Sequence, residues 1–198
     1  MDVAGMSIDL ARLSEAQKIV LVEGASDKAA LEVLAGRRGQ VLGRGGTCVV
    51  AMGGAMRISH FLGLLGPHGI NMRLAGLCDA SEEGHFRCAL ERGGLGSGRS
   101  RAEMEALGFY VCTADLEDEL IRAVGAAAVE HIIQAQGEFR SFRSFQKQPA
   151  QRRQSVGQQL HRFMGTRSGR KSQYARLMAG ALDLDRVPRP LDRVLAHV

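Results

Sequence analysis

Glu23 and Asp79 each close a short apolar run, in LVEGASD (21–27) and GLCDASEE (76–83). A third run ends the same way in FYVCTADLEDEL (109–120), where Asp115 is followed by Glu117, Asp118 and Glu119. Asp27 stands one helical turn beyond Glu23. Carboxylates gathered at one place repel, and keeping several ionised without a counter-charge is costly. A hard divalent cation such as Mg²⁺ or Mn²⁺ removes that cost, because it prefers oxygen ligands. A plainer explanation is that acids favour the first turn of any helix, where the macrodipole is positive. That accounts for Glu82, Glu83, Asp118 and Glu119. It accounts poorly for Glu23 and Asp79, which belong to the ends of the apolar runs themselves.

These runs are what must position the acids. KIVLVEG (18–24), rich in β-branched residues, and the apolar runs TCVVAM (47–52), MRLAGLCD (72–79) and FYVCTAD (109–115) are short, lack clean alternation and end at or just before glycine or a carboxylate, which predicts strands buried on both faces. Between them lie helical patterns: SDKAALEVLA with Ser26 as its cap, Ala55 to Leu65, SEEGHFRCALERGG, RAEMEALG and LEDELIRAVG. Beyond about residue 126 only helical patterns remain, AAAVEHIIQAQGE, SFRSFQKQ, QRRQSVGQQLHRFMG and SQYARLMAGALDL. Alternating strands and helices predict an α/β fold, a four-stranded parallel sheet flanked by helices. Residues 1–125 would form this metal-binding unit, and residues 126–198 a basic C-terminal helical appendage. In such sheets the ligand crevice lies at the carboxyl ends of the strands. Three of the four predicted strands deliver a carboxylate there, and the other delivers Gly53-Gly54, which lets a backbone approach closely.

The 198 residues carry 26 Lys and Arg against 21 Asp and Glu, a net charge of +5. The excess is uneven: residues 140–198 hold 13 basic residues against Asp183, Asp185 and Asp192, a net +10, which leaves −5 on residues 1–139. An acidic body that collects cations, beside a basic surface that meets a polyanion, is the corresponding expectation. No apolar run approaches the roughly 20 residues of a membrane span, and MDVAGMSIDLARLSEAQ lacks the basic-then-apolar pattern of a secretion signal. The expectation is a soluble cytoplasmic chain with no membrane partner. Cys48, Cys78, Cys88 and Cys112 form no close pair of the kind a zinc site uses and read as buried free thiols. The six histidines form no metal-binding spacing and read as ordinary side chains. GTRSGRKS (165–172) has the wrong glycine spacing for a P-loop, carries Arg170 where its lysine belongs and follows no strand.

LVEGASDKAALEVLA, AMGG and GLCDASEE together resemble a Toprim domain, the metal-binding fold of topoisomerases, bacterial primases and a set of nucleases. The VEGxSD form, the later ADLEDEL and the distal SGRK (168–171) most resemble the Toprim nuclease domain of the overcoming-lysogenization-defect (OLD) endonucleases. The resemblance implies Mg²⁺- or Mn²⁺-dependent nicking or cleavage of DNA, with two ions about 3.5–4 Å apart. Residue by residue, it implies that Glu23 and Asp27 hold the first ion with Asp79 bridging or adjacent. Ser81, Asp115 and Glu117 are then candidates for the second ion. Lys171 would neutralise charge on the phosphate, with Glu23 and Lys171 as the catalytic pair. Lys171, Arg167 and Arg170 would contact DNA, the two arginines as fork-shaped phosphate binders. Full-length OLD proteins carry an N-terminal ATPase, so the resemblance implies either a separate ATPase chain as partner or an ATP-independent activity, and a homodimer is open.

Many Toprim proteins carry Asp-x-Asp where this sequence has Asp79-Ala80-Ser81. The missing carboxylate opens a different reading, a catalytically degenerate Toprim module that binds nucleic acid or a partner protein without cutting. A primase or topoisomerase fragment is disfavoured by the lack of a zinc ribbon and of a tyrosine-bearing cleavage domain. A receiver-like phosphorylation domain is disfavoured because the first strand ends Glu-Gly rather than in paired acids.

Overall fold

A computed structural model of the chain describes residues 16–40, 42, 46–96 and 100–197. Four parallel strands form one sheet: β1 (Lys18–Val22), β2 (Thr47–Ala51), β3 (Arg73–Cys78) and β4 (Phe109–Val111), in the spatial order β2-β1-β3-β4. In β1 the residues Ile19, Val20, Leu21 and Val22 are all fully buried. Ile19 and Leu21 join one hydrophobic cluster and Val20 and Val22 join the other, which is why the run shows no polar alternation.

The two faces are covered unequally. One face is packed by α2 (Ile58–Leu65), α3 (Glu83–Arg92) and α4 (Arg101–Ala106), through Phe61, Leu62, Phe86, Leu90 and Met104. The other takes α1 (Ala25–Arg37), α5 (Leu116–Val124), α6 (Ala126–Ala135), α7 (Phe139–Gln146), α8 (Val156–Met164), α9 (Arg170–Ala181) and α10 (Arg189–His197). The C-terminal helices therefore share a core with the sheet: Tyr174, Met178 and Leu195 belong to the same cluster as Val20, Val22 and Leu77. Arg37 ties α1 to α9, donating from Nη1 to the carbonyls of Ala179 (2.8 Å) and Leu182 (2.6 Å). It thus supplies donors to carbonyls at a helix end that have no partner within the helix. No helix among the described residues is long and apolar enough to cross a membrane.

Several details depart from expectation. Ser26 does not cap α1; the cap position is Gly24, whose N–H donates to Asp27 Oδ2 at 2.8 Å. The fourth strand is only three residues long and gives way to Cys112 and a bend before α5. Of the cysteines, Cys78 and Cys112 are buried, Cys48 is half-buried and Cys88 is exposed, so burial is not general. The helix α10 lies beyond the helical patterns read from the sequence; Pro190 stands in its first turn, and Leu191, Val194 and Leu195 form its buried stripe.

Gly76 in β3 pairs with Phe109 in β4, and a Cβ there would lie 2.6 Å from the Phe109 ring and 3.1 Å from the Leu21 carbonyl. Gly76→Ala is expected to destabilise the fold by about 1–3 kcal/mol through overpacking, measured as a lower urea midpoint at unchanged slope.

Candidate metal centre

The parallel register aligns the strand ends. Val22 pairs with Ala51 on one side and Leu77 on the other, while Cys78 pairs with Val111. Glu23, Met52 and Asp79 therefore emerge along one edge, with Asp115 following the end of β4. The chain runs from β1 out to β2 and returns to β3 on the other side of β1. β1 and β3 thus flank the reversal point, where open α/β sheets place their ligand crevice.

Glu23 and Asp79, 56 positions apart, meet there: the Asp79 N–H donates to Glu23 Oε1 at 3.1 Å. The backbone of the same glutamate holds the turn after β2, since its carbonyl accepts the N–H groups of Gly53 (3.0 Å) and Gly54 (2.9 Å). Both glycines have positive φ, 78° and 123°, a conformation that glycine adopts without steric penalty. Asp27, in the first turn of α1, is only 8% exposed. Glu117, in the first turn of α5, is 3% exposed. Its Oε2 accepts from Lys171 Nζ at 3.3 Å, whereas Oε1 is buried and has no hydrogen-bond partner among the described residues.

The electrostatics follow from that crowding. Burial, reinforced by Glu82 and Glu117, pushes the Glu23 carboxyl up against the opposing Asp79 N–H and Lys171. Asp27 is pushed up to about 7 by burial and then by Glu117 and Glu23. Asp79 is pushed up to about 7 by burial and then by Glu23, Asp27, Asp115 and Glu117. Asp115 goes the other way. Burial alone would raise it, but its bonds to His161 and to the Asp118 N–H hold it below the usual carboxylate range. His161 Nε2 lies 2.5 Å from Asp115 Oδ2, and that bond raises the imidazole. Burial would lower Lys171, yet Glu117 raises it. Burial also pushes the Cys78 and Cys112 thiols up, which makes them poor ligands and nucleophiles.

The structure thus brings Glu23, Asp27, Asp79, Asp115, Glu117 and Lys171 to one edge. Ser81 is exposed in the short turn Ala80–Glu82, and the charge this turn brings to bear on Glu23 is that of Glu82. Arg167 is on the surface, its side chain 72% exposed and 3.4 Å from Glu138. Arg170, expected to grip a DNA backbone, is instead buried. Its Nη1 donates to the Phe163 carbonyl (3.1 Å) and Thr166 Oγ1 (2.6 Å), its Nη2 donates to Glu138 Oε1 (3.0 Å), and its guanidinium stacks on Phe163. These contacts hold the guanidinium inside the fold rather than on the surface. The ordinary reading of His161 is also corrected: it approaches the acids from α8, 46 residues after Asp115, a separation that no local motif reveals.

The donor set fits a divalent cation. Acidic groups outnumber the cations that face them, Asp27 and Asp79 are each pushed up to about 7 by burial and then by neighbouring carboxylates, and among the described residues the buried Glu117 Oε1 lacks a hydrogen-bond partner. Glu23, Asp79 and Glu117 offer oxygens suited to Mg²⁺ or Mn²⁺.

Residues 16–80 match the family described as overcoming lysogenization defect protein-like, TOPRIM domain. No curated protein matches the chain. Among solved structures, the C-terminal region of the Burkholderia pseudomallei OLD protein is 18% identical, with a TM-score of 0.69, covering 92% of this chain and 96% of that one. The C-terminal region of the Xanthomonas campestris pv. campestris OLD protein is 19% identical in its platinum-phased form, with a TM-score of 0.69 and 94% of each chain covered. Residues 16–80 are accordingly similar to an OLD-like Toprim domain, and the chain as a whole has the fold of the OLD C-terminal region.

Proposed function

We propose that the chain is a divalent-metal-dependent DNA endonuclease or nickase that hydrolyses phosphodiester bonds by two-metal chemistry. The observation that carries this reading is the meeting of Glu23 and Asp79 beside buried Glu117, whose Oε1 has no partner. Glu23, Asp27 and Asp79 would hold one ion, and Asp115 and Glu117 the other. When bound, such ions polarise the phosphate and acidify a water nucleophile. The residues of the chain do the rest. Lys171, anchored on Glu117 Oε2, presents an ammonium where negative charge grows on the phosphate. Gly53 and Gly54 leave the crevice rim without side chains. Arg167, exposed near the start of α9, would contact a neighbouring backbone phosphate. A separate ATPase chain as partner belongs to the same proposal.

The test is nicking of supercoiled plasmid in Mg²⁺ or Mn²⁺. Glu23→Gln and Lys171→Met are each expected to slow cleavage by about 100-fold or more. Cleavage by Glu23→Gln and Asp79→Asn at the wild-type rate would overturn the proposal. The exposed Ser81, which adds no carboxylate, favours the second reading of a degenerate binding module; that module would bind DNA in Mn²⁺ and leave plasmid intact.

A further inference from the structure

One donor atom each from Asp115, Glu117 and His161 lies within 4.8 Å of the others. The three come from two packed helices: Asp115 caps α5, Glu117 occupies its first turn, and His161 stands in the last turn of α8. The buried, unpartnered oxygen of this group is Glu117 Oε1. Because Lys171 is bonded to Oε2, a cation can take Oε1 without displacing it. Metal–donor bonds of about 2.1 Å place neighbouring donors about 3 Å apart and opposite donors about 4.2 Å apart. Side-chain rotations that open the bond between His161 Nε2 and Asp115 Oδ2 would bring the three donors to such spacings.

We infer that Asp115, Glu117 and His161 form a mixed nitrogen–oxygen cation site that selects a first-row transition ion, such as Mn²⁺ or Co²⁺, over Mg²⁺. Imidazole is a softer donor than carboxylate. It suits transition ions, whereas Mg²⁺ prefers oxygen and water. The Glu23–Asp79 side of the crevice offers only oxygen and has no such bias. The two sides would then differ in ion preference, which equivalent carboxylate sites cannot do. The inference rests on the metal-dependent reading of this crevice, but not on catalysis.

The experiment loads the full metal-stripped chain with Mn²⁺ and records pulsed electron paramagnetic resonance for nitrogen-14 modulation from a bound imidazole. Calorimetry with Mn²⁺, Co²⁺ and Mg²⁺ runs in parallel. Wild type is expected to show nitrogen coupling and Glu23→Gln to keep it. His161→Ala and His161→Gln are expected to lose it, and to weaken one Mn²⁺ or Co²⁺ site by about tenfold or more while changing Mg²⁺ affinity little. The His161 side chain is about one third exposed, so both variants should melt near wild type. If either fails to fold, the wild-type spectrum decides alone. Absence of nitrogen coupling in Mn²⁺-loaded wild type overturns the inference, even if plasmid is still cut. Nitrogen coupling without cleavage upholds the inference and removes the nuclease.

Discussion

Stripped of divalent metal, the Asp79→Asn chain is expected to unfold at a higher urea concentration than wild type at pH 8, and to lose the stabilisation that Mn²⁺ gives wild type. Asp79 has its carboxyl pushed up to about 7 by burial and by Glu23, Asp27, Asp115 and Glu117. A carboxyl raised in the folded state is protonated there over a range where the unfolded chain has already ionised. Stability therefore falls as pH rises from about 4 to about 7, and the full penalty persists above that range. Asp27, also raised to about 7, adds to the same slope, and so does the raised His161. Asparagine removes one charge from the repulsion. Allowing for solvent screening at a partly exposed side chain, the gain at pH 8 should be about 1–2 kcal/mol, shrinking towards zero at pH 4. In wild type, Mn²⁺ should reverse the slope because it binds the ionised carboxylates; at 100 times its dissociation constant it adds about 2.7 kcal/mol. Urea midpoints at pH 5 and pH 8, with EDTA and with Mn²⁺, measure all four values. An Asp79→Asn chain no more stable than wild type at pH 8 in EDTA would show that the crowded carboxylates carry no such penalty.

The sheet and the Glu23–Asp79 contact were legible because they depend on local patterns. A short apolar run that stops at glycine or a carboxylate predicts a buried strand, and parallel order places all strand ends on one edge, so Glu23 and Asp79 could be paired from the sequence across 56 residues. The helical tail was less legible. SFRSFQKQ and SQYARLMAGALDL read as helices, yet amphipathic spacing does not say against which surface they pack. They cover the sheet face that holds Val20 and Val22. That packing is also what carries His161 to Asp115 and Lys171 to Glu117. Spacing could not distinguish Arg167 from Arg170 either. The two are three residues apart in one basic segment, but only one faces inwards, and the carboxylate that decides this, Glu138, lies about 30 positions earlier.

Arg170→Ala is expected to lower stability strongly, whereas Arg167→Ala lowers DNA affinity alone. The Arg170 guanidinium joins three elements: the Phe163 carbonyl and Thr166 hydroxyl at the end of α8, Glu138 before α7, and the first residue of α9 that carries it. Tyr174 donates to the other Glu138 oxygen at 2.8 Å. Although burial would raise it, Glu138 is held below the usual carboxylate range by Tyr174 and Arg170. Truncation would leave Glu138 short of its main counter-charge and strip the stacking from Phe163. Breaking a buried pair of this kind costs about 3 kcal/mol, or about 6–12 °C in melting temperature for a chain of this size. Arg167, largely exposed, should change stability by less than about 0.5 kcal/mol. If it contacts a phosphate, its removal reduces the slope of log affinity against log salt by about one. The pair separates two uses of positive charge within one tetrapeptide. Arg170 fixes the start of α9, so that its neighbour Lys171 reaches Glu117, and Arg167 is left facing solvent. An Arg170→Ala chain that melts like wild type and instead binds DNA weakly would reverse these assignments.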